Sequence, residues 1–455
     1  MNWQKTRHKK PTALLVCPRP LKAASSNDAV FPFPMLALPQ LAAAFPPGWR
    51  LRIVDERVRR VRGNEAADVV FLSALTYSAD RAYEIARLFR ARRVPVVMGG
   101  PHATVLPEEA AAHVDAVVIG EADEVLPHLL RDLERKRLAP VYRADAPPDL
   151  DELSSPALHL LSRRHRLFLI PLQTSRGCPN DCDFCAVPIL SGRRLRYRSL
   201  ASIERELERR ANRRPRHLFI VDDNFTANRA RALEIMRLIG ARGFRWTAFA
   251  NLGVSRDEPF LEALREHGCA SLFIGFESIR GGRHLNKNRA FGPDAMHGAV
   301  ERIHAHGIGI QGSFVFGFDE DTPDVFRETA AFIQETGVEL PNLNVLTPFP
   351  GTPLFDALRR EDRLLHRDWS RYDMNHVVYR PKGMTPQELQ QGYAWALKYL
   401  ASPSSIVSRL RGRFAGAAYF FTANFSLHRY QTRLARSLWN PEMYAAMGER
   451  GLWAC

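Results

Sequence analysis

The sequence predicts an α/β protein with three parts: an N-terminal doubly wound parallel sheet of Rossmann-like type, a (β/α)6 partial TIM barrel and a helical C-terminal extension. Short, continuously apolar runs alternate with amphipathic stretches in two successive arrays, as in parallel sheets covered by helices. The length of 455 residues suits about three domains of ~150 residues. We place the first domain at 1–145, a linker at 146–165, the barrel at 166–365 and the extension at 366–455.

The first array contains five apolar runs that predict strands and four amphipathic stretches that predict helices. The strands are expected at 13–17, 51–54, 69–72, 94–98 and 116–119, and the helices at 36–45, 78–90, 108–113 and 124–134. A doubly wound sheet binds ligands at the carboxyl ends of its strands. The residues that follow these ends are therefore candidate ligand contacts: Ser73, Thr76, Gly99, Gly100, His102, Gly120 and Glu121. The glycines also fit simple tight turns, so both interpretations stay open.

The second array predicts six strand–helix units. The strands are expected at 167–173, 217–221, 246–250, 271–276, 309–315 and 343–347, and the helices at 201–210, 229–242, 259–267, 294–306 and 322–336. Ser199 is the expected N-cap of the first of these helices. Parallel barrels carry their chemistry at the carboxyl ends of the strands. The polar residues that follow the six strands are therefore candidate site residues.

Cys178, Cys182 and Cys185 form the most specific motif in the chain. They stand in the run Arg-Gly-Cys-Pro-Asn-Asp-Cys-Asp-Phe-Cys, a C-x3-C-x2-C pattern. Three clustered thiols can ligate three irons of a [4Fe–4S] cube and leave the fourth iron open. An open iron can bind a substrate or cofactor directly, which a site with four Cys ligands cannot do.

Two other interpretations of the cysteines fit the sequence less well. A structural zinc site needs four ligands, usually in paired spacings, and neither His217 nor Cys269 stands at a zinc-finger spacing. Six Cys in 455 residues is sparse for a disulfide framework. We expect Cys17, Cys269 and Cys455 to be core or terminal thiols.

The cysteine pattern resembles the signature of the radical S-adenosylmethionine (SAM) enzymes. Phe184 fits the aromatic position that precedes the last Cys of that signature. The resemblance implies that the open iron chelates the amino and carboxylate groups of SAM. It also implies that an electron, supplied by a donor such as flavodoxin or ferredoxin, cleaves SAM to methionine and a 5′-deoxyadenosyl radical.

The run Val-Asp-Asp-Asn-Phe, at the end of the second barrel strand, resembles the family segment that holds the amino group of SAM. It contributes Asp222, Asp223 and Asn224 as candidate SAM contacts. A helix N-cap is an alternative role for Asp223 or Asn224, and the two roles are compatible.

Two later strand ends resemble further family motifs. Phe-Ile-Gly-Phe-Glu-Ser supplies Glu277 and Ser278 at the position that faces the ribose and methionine of SAM. Gly-Ser-Phe-Val-Phe-Gly supplies Ser313 in a motif that sits against adenine. Arg198 and Lys287 stand in similar contexts and either could pair with the SAM carboxylate, although a surface cation is the simpler role for each.

The runs Val-Val-Met-Gly-Gly-Pro-His-Ala-Thr and Val-Val-Ile-Gly-Glu-Ala-Asp-Glu resemble the N-terminal cobalamin-binding domain of B12-binding radical SAM proteins, over residues 12–140. The resemblance implies that the strand-end residues of the first array contact cobalamin. The chain lacks the Asp-x-His-x-x-Gly motif of the wider cobalamin-binding superfamily, so that motif offers no lower cobalt ligand. We expect His102 to cap its turn or to contact the corrin edge instead.

The net charge of +15 permits binding to nucleic acid, anionic lipid or anionic cofactors. Arginine is spread over many segments rather than packed in one tail, so nucleic acid is not the expected partner. No run reaches the ~18 apolar residues of a membrane span, and the basic N-terminus lacks a signal-peptide pattern. We expect a cytoplasmic protein, where thiols stay reduced.

The C-terminal extension offers two regions of interest. Asp-Trp-Ser-Arg-Tyr-Asp-Met-Asn-His resembles the segment that caps the barrel in this family, and it provides Tyr372, Asp373 and His376 as candidate substrate contacts. Residues 409–439 mix six Arg with aromatic residues, which permits peripheral contact with a membrane. Core packing of a terminal helical bundle fits the same pattern better.

Together these motifs predict a cobalamin-binding radical SAM enzyme that methylates an unactivated carbon of a small-molecule or lipid-like substrate. Radical cyclisation or rearrangement without methyl transfer is the alternative within the class. A methylthiotransferase would need three N-terminal Cys, and only Cys17 is present. A non-enzymatic Fe–S or zinc protein that binds nucleic acid is the alternative of another class. Such a protein would not cleave SAM.

Overall fold

The computed structural model describes residues 10–20, 35–166, 169–210, 216–280, 291–411 and 417–439. Two six-stranded parallel sheets follow one another along the chain, and a group of helices follows the second sheet. The predicted fold class is confirmed. None of the helices in the described part of the chain is long and apolar enough to cross a lipid bilayer.

The first sheet has the strand order of a doubly wound fold. Its strands are β1 (Thr12–Cys17), β2 (Arg50–Asp55), β3 (Val69–Ser73), β4 (Val96–Gly99), β5 (Ala116–Ile119) and β6 (Val141–Arg143). They pair in parallel in the order β2-β1-β3-β4-β5-β6. The order reverses between β1 and β3, and ligands of such sheets bind at this switch point, beyond the carboxyl ends of the strands.

Helices cover both faces of the first sheet because its strands are apolar on both faces. The helices are α1 (Ala37–Ala43), α2 (Ala79–Arg90), α3 (Pro101–Val105), α4 (Pro107–Ala111) and α5 (Leu126–Glu134). Leu15 and Phe71 pack in a core with α1 and α5, whereas Val16 and Leu72 pack in a second core with α2. The helix predicted at 108–113 corresponds to α4, which begins at Pro107 because proline is favoured in the first turn of a helix. The preceding helix α3 was not predicted.

The second array begins at Ile170, inside the strand predicted at 167–173. It contains a hairpin that the sequence did not predict. Its strands are β7 (Ile170–Leu172), β8 (Ser175–Arg176), β9 (Arg196–Tyr197), β10 (His217–Ile220), β11 (Arg245–Asn251), β12 (Cys269–Glu277), β13 (Gly309–Phe316) and β14 (Leu340–Val345). β8 and β9 pair as an antiparallel hairpin. The other six strands form a parallel sheet in sequential order, with β7 and β14 at its two edges. This is the strand order of the predicted partial barrel.

Most helices of the second array pack on the outer face of its sheet, whereas the short helix at Val187–Leu190 lies in the cysteine loop and has no buried residue. They are α6 (Val187–Leu190), α7 (Leu200–Glu208), α8 (Arg229–Ala241), α9 (Glu258–Glu266), α10 (Pro293–Ala305), α11 (Val325–Thr336) and α12 (Pro353–Arg360). Ser199 caps α7 as predicted, because its hydroxyl accepts a hydrogen bond of 3.1 Å from the backbone N–H of Ser202. The last strand begins three residues before its predicted start at 343.

Three helices form the extension: α13 (Pro386–Leu400), α14 (Pro403–Leu410) and α15 (Ala417–Leu438). α15 lies along β14, the edge strand of the barrel. The side-chain amide of Asn424 donates a 2.9 Å hydrogen bond to the carbonyl of Glu339, just before β14 begins. Phe420 packs where Gly309 has no side chain. The predicted core packing therefore holds for this face of the helix.

A buried ion pair joins the first sheet to the segment that leads into the barrel. His165 lies within a hydrogen-bond distance of 2.9 Å from Asp55, the last residue of β2. Arg57 also pairs with Asp55, at 2.6 Å. Burial of Asp55 favours its neutral form, but the hydrogen bonds from His165 and Arg57 outweigh that effect and lower its pKa from 3.8 to about 2.

We expect Asp55→Asn to lower the free energy of unfolding near neutral pH and to lose this effect in acid. The depressed pKa of Asp55 contributes stability that is present above its unfolded pKa of 3.8 and is lost as the pH falls through about 2. The contribution is about 2 kcal/mol. Urea unfolding at several pH values between about 2 and 7 measures it. Asp145→Asn, at an exposed position, is the control, and a pH-independent difference at Asp55 would contradict the pKa assignment.

Candidate active site between the two sheets

The three clustered cysteines lie in the loop between β8 and β9, beyond the carboxyl end of β7. The backbone N–H of Cys178 donates to the carbonyl of Gly192 at 3.3 Å, and that of Cys185 donates to Cys182 at 3.1 Å. Asp183, on the same loop, accepts a 3.0 Å hydrogen bond from the backbone of Leu354 in α12. The loop is thus held at both ends and also in its middle.

Gly177 sets the direction in which the chain enters this loop. Its φ of +94° lies in the left-handed region that favours glycine. A Cβ at this position would lie 2.5 Å from the carbonyl oxygen of Arg194 across the hairpin. Only glycine therefore lets the two strands approach so closely beside Cys178.

Two carboxylates that follow β10 accept hydrogen bonds from the first strand of the cysteine hairpin and from the residues beside it. Asp222 is buried and accepts hydrogen bonds from the backbone N–H of Thr174 at 2.6 Å and from the hydroxyl of Ser175 at 2.7 Å. Asp223 accepts a 2.9 Å hydrogen bond from the backbone of Gly177. Burial raises the pKa of both carboxyl groups. Asp222 is a predicted SAM contact, and in the structure its carboxylate supports the hairpin.

Cys185 sits in surroundings that disfavour a free thiolate. Each of the three clustered thiols is partly exposed. Burial, with repulsion from Cys182 and Cys178, raises the pKa of Cys185 from 9.0 to about 11. A metal centre that binds thiolates would offset this cost. Among the described residues, no three or more His, Cys, Asp or Glu side chains are grouped to hold one metal ion. In an iron–sulfur cube, each Cys binds a different iron, so the sulfurs need not converge on one point.

The inner face of the barrel is more polar than the outer face. The outer face is buried under helices through Leu218, Trp246, Leu272 and Ile310. On the inner face, the register of neighbouring strands aligns half-buried positions in one row: Asn251, Gly275, Ser313 and Asn342. This row lies toward the carboxyl ends of the strands, at the level where such barrels bind their ligands.

Glu277 ends β12 in an unusual backbone conformation. Its φ of +61° is left-handed, and the strand register shifts between Gly275 and Glu277. A bulge of this kind re-aims a side chain, and a left-handed non-glycine residue costs roughly 1–2 kcal/mol. Such conformations concentrate at functional sites. The carboxylate lies over Gly275, where a Cβ would collide with it. Glu277 therefore stays a candidate SAM contact, together with Ser313.

Other predicted SAM contacts have different environments. Phe184 packs edge-on against Phe318, which follows β13, with ring centroids 6.0 Å apart. Asn224 is buried and does not act as a side-chain N-cap. Ser278 is also buried, and its hydroxyl accepts from the backbone of Arg280. The structure therefore gives Ser278 a local turn contact, and its contact with SAM stays a prediction.

Arg198 and Lys287 are the two cations that the sequence offers for the SAM carboxylate. Arg198 is buried, pairs with Glu206 at 2.6 Å and donates to the carbonyl of Gln173 at 2.9 Å. It is neither a surface cation nor a SAM contact. Lys287 lies outside the described residues, as does Cys455. Cys269 and Cys17 are buried core thiols, as expected.

The amino-terminal end of the barrel is closed by the start of α15. Tyr419 stacks on His217 with ring centroids 5.4 Å apart, and its hydroxyl lies 3.1 Å from the amide of Gln311. Thr247 bridges His217 and Ser271 through contacts of 2.9 Å each. Burial, with repulsion from Arg245, lowers the pKa of His217 to about 4. This neutral, fully bonded network is packing at the end opposite to the cysteines.

A cavity of about 280 Å³ opens at the carboxyl ends of β3, β4 and β5. Its walls include Ser73, Gly99, Gly100 and Gly120 from the predicted set, together with the apolar side chains of Leu38, Phe71, Val97, Val118 and Leu129. Gly100 has a φ of +89°, and a Cβ on it would lie 2.9 Å from the hydroxyl of Ser73. The cavity also touches Gln173 and Arg176 of the second array. It is therefore shared by the two sheets.

Glu121 lies at this shared boundary, but its carboxylate is already paired. It accepts hydrogen bonds from the guanidinium groups of both Arg176 and Arg196, on the two strands of the cysteine hairpin. Arg176 also pairs with Asp123 at 3.1 Å. Glu121 is a predicted cobalamin contact that lines the cavity, and in the structure its carboxylate also forms a clamp between the sheets. No local pattern indicates this role, because the partners are more than fifty positions away along the chain.

Two other residues of the predicted cobalamin set do not line the cavity. Thr76 is buried in a short 3-10 turn. His102 is fully buried, and its Nε2 lies 2.8 Å from the hydroxyl of Tyr83 and 3.3 Å from Glu109. Glu109 also accepts 3.0 Å hydrogen bonds from the indole of Trp369. His102 thus helps to dock the extension onto the first domain, and it does not contact the cavity.

A second cavity, of about 410 Å³, lies beside β14 and is bounded by both domains and the extension. Its walls include Asn342, Asn344 and Asp373. Because Ser313 pairs with Asn342, these amides continue the inner row of the barrel to its open edge. The sequence analysis missed both Asn residues, although Asn at alternate positions of an apolar strand indicates a polar face.

The predicted substrate contacts Tyr372 and His376 do not line this cavity. Tyr372 is fully buried and donates its hydroxyl to the carbonyl of His366 at 2.7 Å. No part of the side chain is accessible in this structure, and its contact with a substrate stays a prediction. His376 pairs with Asp373 at 3.0 Å. It can therefore orient the carboxylate of Asp373, which does reach the cavity.

Comparison with known proteins decides the family. The radical SAM superfamily model matches residues 172–333, and the B12 binding domain model matches residues 30–130. The chain is 30% identical to bacteriochlorophyllide d C-12(1)-methyltransferase of Chlorobaculum tepidum over 461 residues, which covers 97% of this chain and 95% of the relative. The chain belongs to the cobalamin-binding radical SAM family. The predicted family is therefore confirmed.

Further relatives agree with this membership. The chain is 29% identical to hopanoid C-2 methylase of Rhodopseudomonas palustris, over 75% of this chain and 67% of the relative. The solved structure of TsrM from Kitasatospora setae with cobalamin and a [4Fe–4S] cluster has a TM-score of 0.65 at 17% identity, covering 94% of this chain and 99% of that one. OxsB with aqua-cobalamin has a TM-score of 0.66 at 15% identity, over 93% and 72% of the two chains. These two similarities concern the fold.

The protein is accordingly an enzyme of the cobalamin-dependent radical SAM C-methyltransferase type. Its cofactors are a [4Fe–4S] cluster, SAM and cobalamin. The predicted enzyme class and cofactors are confirmed.

We expect Gly177→Ala to prevent stable assembly of the iron–sulfur cluster, because its Cβ meets the Arg194 carbonyl beside Cys178. Gly192→Ala is the matched control in the same hairpin. It carries a similar φ of +81°, but a Cβ there meets nothing within 4 Å. The control should lose only about 1–2 kcal/mol of stability. Iron content and the ~400 nm absorbance after anaerobic reconstitution measure the effect. Equal cluster content in both variants would rule out this role of Gly177.

Proposed function

We propose that the enzyme methylates an unactivated carbon of a cyclic tetrapyrrole. The observation that carries the proposal is the placement of the cysteine hairpin, which Glu121 clamps against the strand-end cavity of the first sheet. The substrate class is supported by the bacteriochlorophyllide methyltransferase, which aligns with almost the whole chain. A second bacteriochlorophyllide d methyltransferase, named for position C-8(2), is 28% identical over 82% of this chain.

Cys178, Cys182 and Cys185 would hold the cluster, each through one iron. When bound, the cluster supplies the electron that cleaves SAM, and cobalamin supplies the methyl group. Asp223 and Glu277 would face the polar groups of SAM, since one carboxylate lies beside the cysteine loop and the other at the end of β12. Further SAM contacts would come from Phe184, Asn224 and Ser313.

Cobalamin would be held by the cavity of the first sheet. Gly100 and Gly120 keep side chains out of its mouth, and Ser73 offers a hydroxyl there. The apolar interior suits an aromatic base, such as the one on the nucleotide tail of cobalamin. His102 faces Tyr83 and Glu109, so this turn would leave the lower face of cobalt without a histidine.

The substrate would occupy the cavity beside β14. Its volume of about 410 Å³ is ample for one substituted ring at the reacting edge of a macrocycle. Asn342 and Asn344 provide donors and acceptors for polar substituents, and Asp373 provides a carboxylate. An electron donor such as flavodoxin or ferredoxin would serve the cluster. The reducing cytoplasm is the compartment that such a centre requires.

The proposal is tested with the full chain, reconstituted anaerobically with SAM, cobalamin, a reductant and bacteriochlorophyllide d. We expect a tetrapyrrole product heavier by one methylene unit, together with 5′-deoxyadenosine. Cys182→Ala should form neither product, because it removes a cluster ligand. The matched control is Cys269→Ala, which alters a buried thiol in the barrel core and should keep both activities within about threefold.

Two outcomes would contradict different parts of the proposal. Deoxyadenosine without a methylated tetrapyrrole, or methylation of a hopanoid offered in its place, would overturn the substrate class and leave the chemistry intact. Full SAM cleavage by Cys182→Ala would overturn the assignment of the cluster ligands.

A further inference from the structure

The end of the chain has a charge pattern unlike the rest of the protein. Between Glu388 and Glu442 the sequence contains no Asp or Glu, although the whole chain has 49 acidic residues. The same stretch contains seven Lys or Arg residues. Helices α14 and α15 lie inside this stretch. Their cations therefore cannot be neutralised by acidic neighbours along the sequence.

The outer face of α15 combines large apolar side chains with cations. Phe421 and Phe425 stand one turn apart and are 60% and 61% exposed. Arg429, Arg433 and Arg436 continue the same side of the helix and are also exposed. We call these five residues the α15 stripe. None of its three arginines forms an ion pair with any residue that the structure describes.

The exposure of the α15 stripe does not result from a loosely attached helix. The opposite face carries Phe420, Asn424 and Leu434, all of which are buried. Arg409 of α14 donates a 3.1 Å hydrogen bond to Asn424, and His428 contacts the carbonyl of Ala401 at 2.6 Å. The helix is fixed by its inner face, so it presents the stripe in one orientation.

The neighbouring helix extends the apolar part of this surface. Val407 of α14 is 61% exposed, and the hydrogen bond between Arg409 and Asn424 joins the two helices at this level. Large apolar side chains on a surface mark a site of interaction when they are grouped. A helix with exposed Phe at one end, Arg at the other and no acidic residue matches an apolar layer beneath anionic head groups.

We propose that the α15 stripe docks the enzyme on the surface of an anionic lipid bilayer. Phe421 and Phe425 enter the boundary between head groups and acyl chains, while the arginines contact lipid phosphates. The inner side of the same helix contributes Leu427 and Tyr430 to the walls of the 410 Å³ cavity. Docking therefore places that cavity behind a single helix from the bilayer. The proposal does not depend on the substrate named above.

Sedimentation of the full chain with vesicles tests the proposal. Vesicles of phosphatidylcholine with phosphatidylglycerol should carry the protein down, and added salt should release it, because the contact is partly electrostatic. Vesicles of phosphatidylcholine alone should bind at least tenfold less. The double variant Phe421→Ser, Phe425→Ser and the double variant Arg429→Gln, Arg433→Gln should each reduce binding to anionic vesicles at least tenfold.

Matched controls separate the stripe from general charge and apolarity. Arg131→Gln with Arg135→Gln removes two exposed cations at α5, and Val141→Ser with Leu365→Ser removes two exposed apolar side chains elsewhere. Both controls should bind as the unaltered chain does. Equal loss in these controls, or no binding to anionic vesicles, would overturn the proposal. So would a change in oligomeric state of the Phe variant, measured by analytical ultracentrifugation, with lipid binding unaltered, because that result assigns the stripe to a second copy of the chain.

Discussion

The ion pairs between Glu121 and the two arginines of the cysteine hairpin determine how the two sheets face each other. Glu121 follows β5 of the first sheet, and Arg176 and Arg196 stand on β8 and β9 beside the cysteines. The three side chains are only 17%, 12% and 17% exposed. Loss of one partner from such a buried group costs about 3–5 kcal/mol, since a charge is left without compensation. The strand ends of the first sheet and the cysteine hairpin thus share one electrostatic contact.

The barrel divides its polar residues between two ends with different purposes. At the amino-terminal end, His217, Thr247 and Tyr419 satisfy one another and fill the opening. At the carboxyl end, the carboxylate of Asp223 lies beside the cysteine loop, and Glu277 stands at the bulge that ends β12. The first set stabilises the barrel, and the second set lies at the end where parallel barrels bind their ligands. This division follows the general rule for parallel barrels, in which strand carboxyl ends carry the chemistry.

The sequence predicted the elements well because apolar strands and amphipathic helices leave periodic patterns. Both parallel sheets were predictable in this way, whereas the cofactors were predicted from motif resemblance and the cap at Ser199 from its residue type. The three-residue strand β6 and the hairpin of β8 and β9 are too short to produce a period. Motif resemblance identified the correct strand ends, but it could not decide which side chains at those ends face a ligand.

The errors at the site arise from long-range contacts. His102 stands in a motif-like run, but it is fully buried and contacts Tyr83, which is distant in sequence. Glu121 stands beside a predicted ligand turn, yet arginines from another domain take its carboxylate. Asn342 and Asn344 were overlooked because their importance depends on β14 being the open edge of the sheet. None of these facts is encoded locally.

The most direct test of whether the Glu121 clamp aligns the two sites is a product ratio. It is the ratio of methylated product to 5′-deoxyadenosine formed by Glu121→Gln. The account predicts that the variant keeps its cluster and cleaves SAM at a rate within about threefold of the unaltered enzyme. Methylated product per deoxyadenosine should fall at least tenfold, because the two cofactor sites lose their alignment. Glu124→Gln, an exposed carboxylate three positions later, should leave the ratio unaltered. An unaltered ratio in Glu121→Gln would contradict the claim that this clamp aligns the two sites.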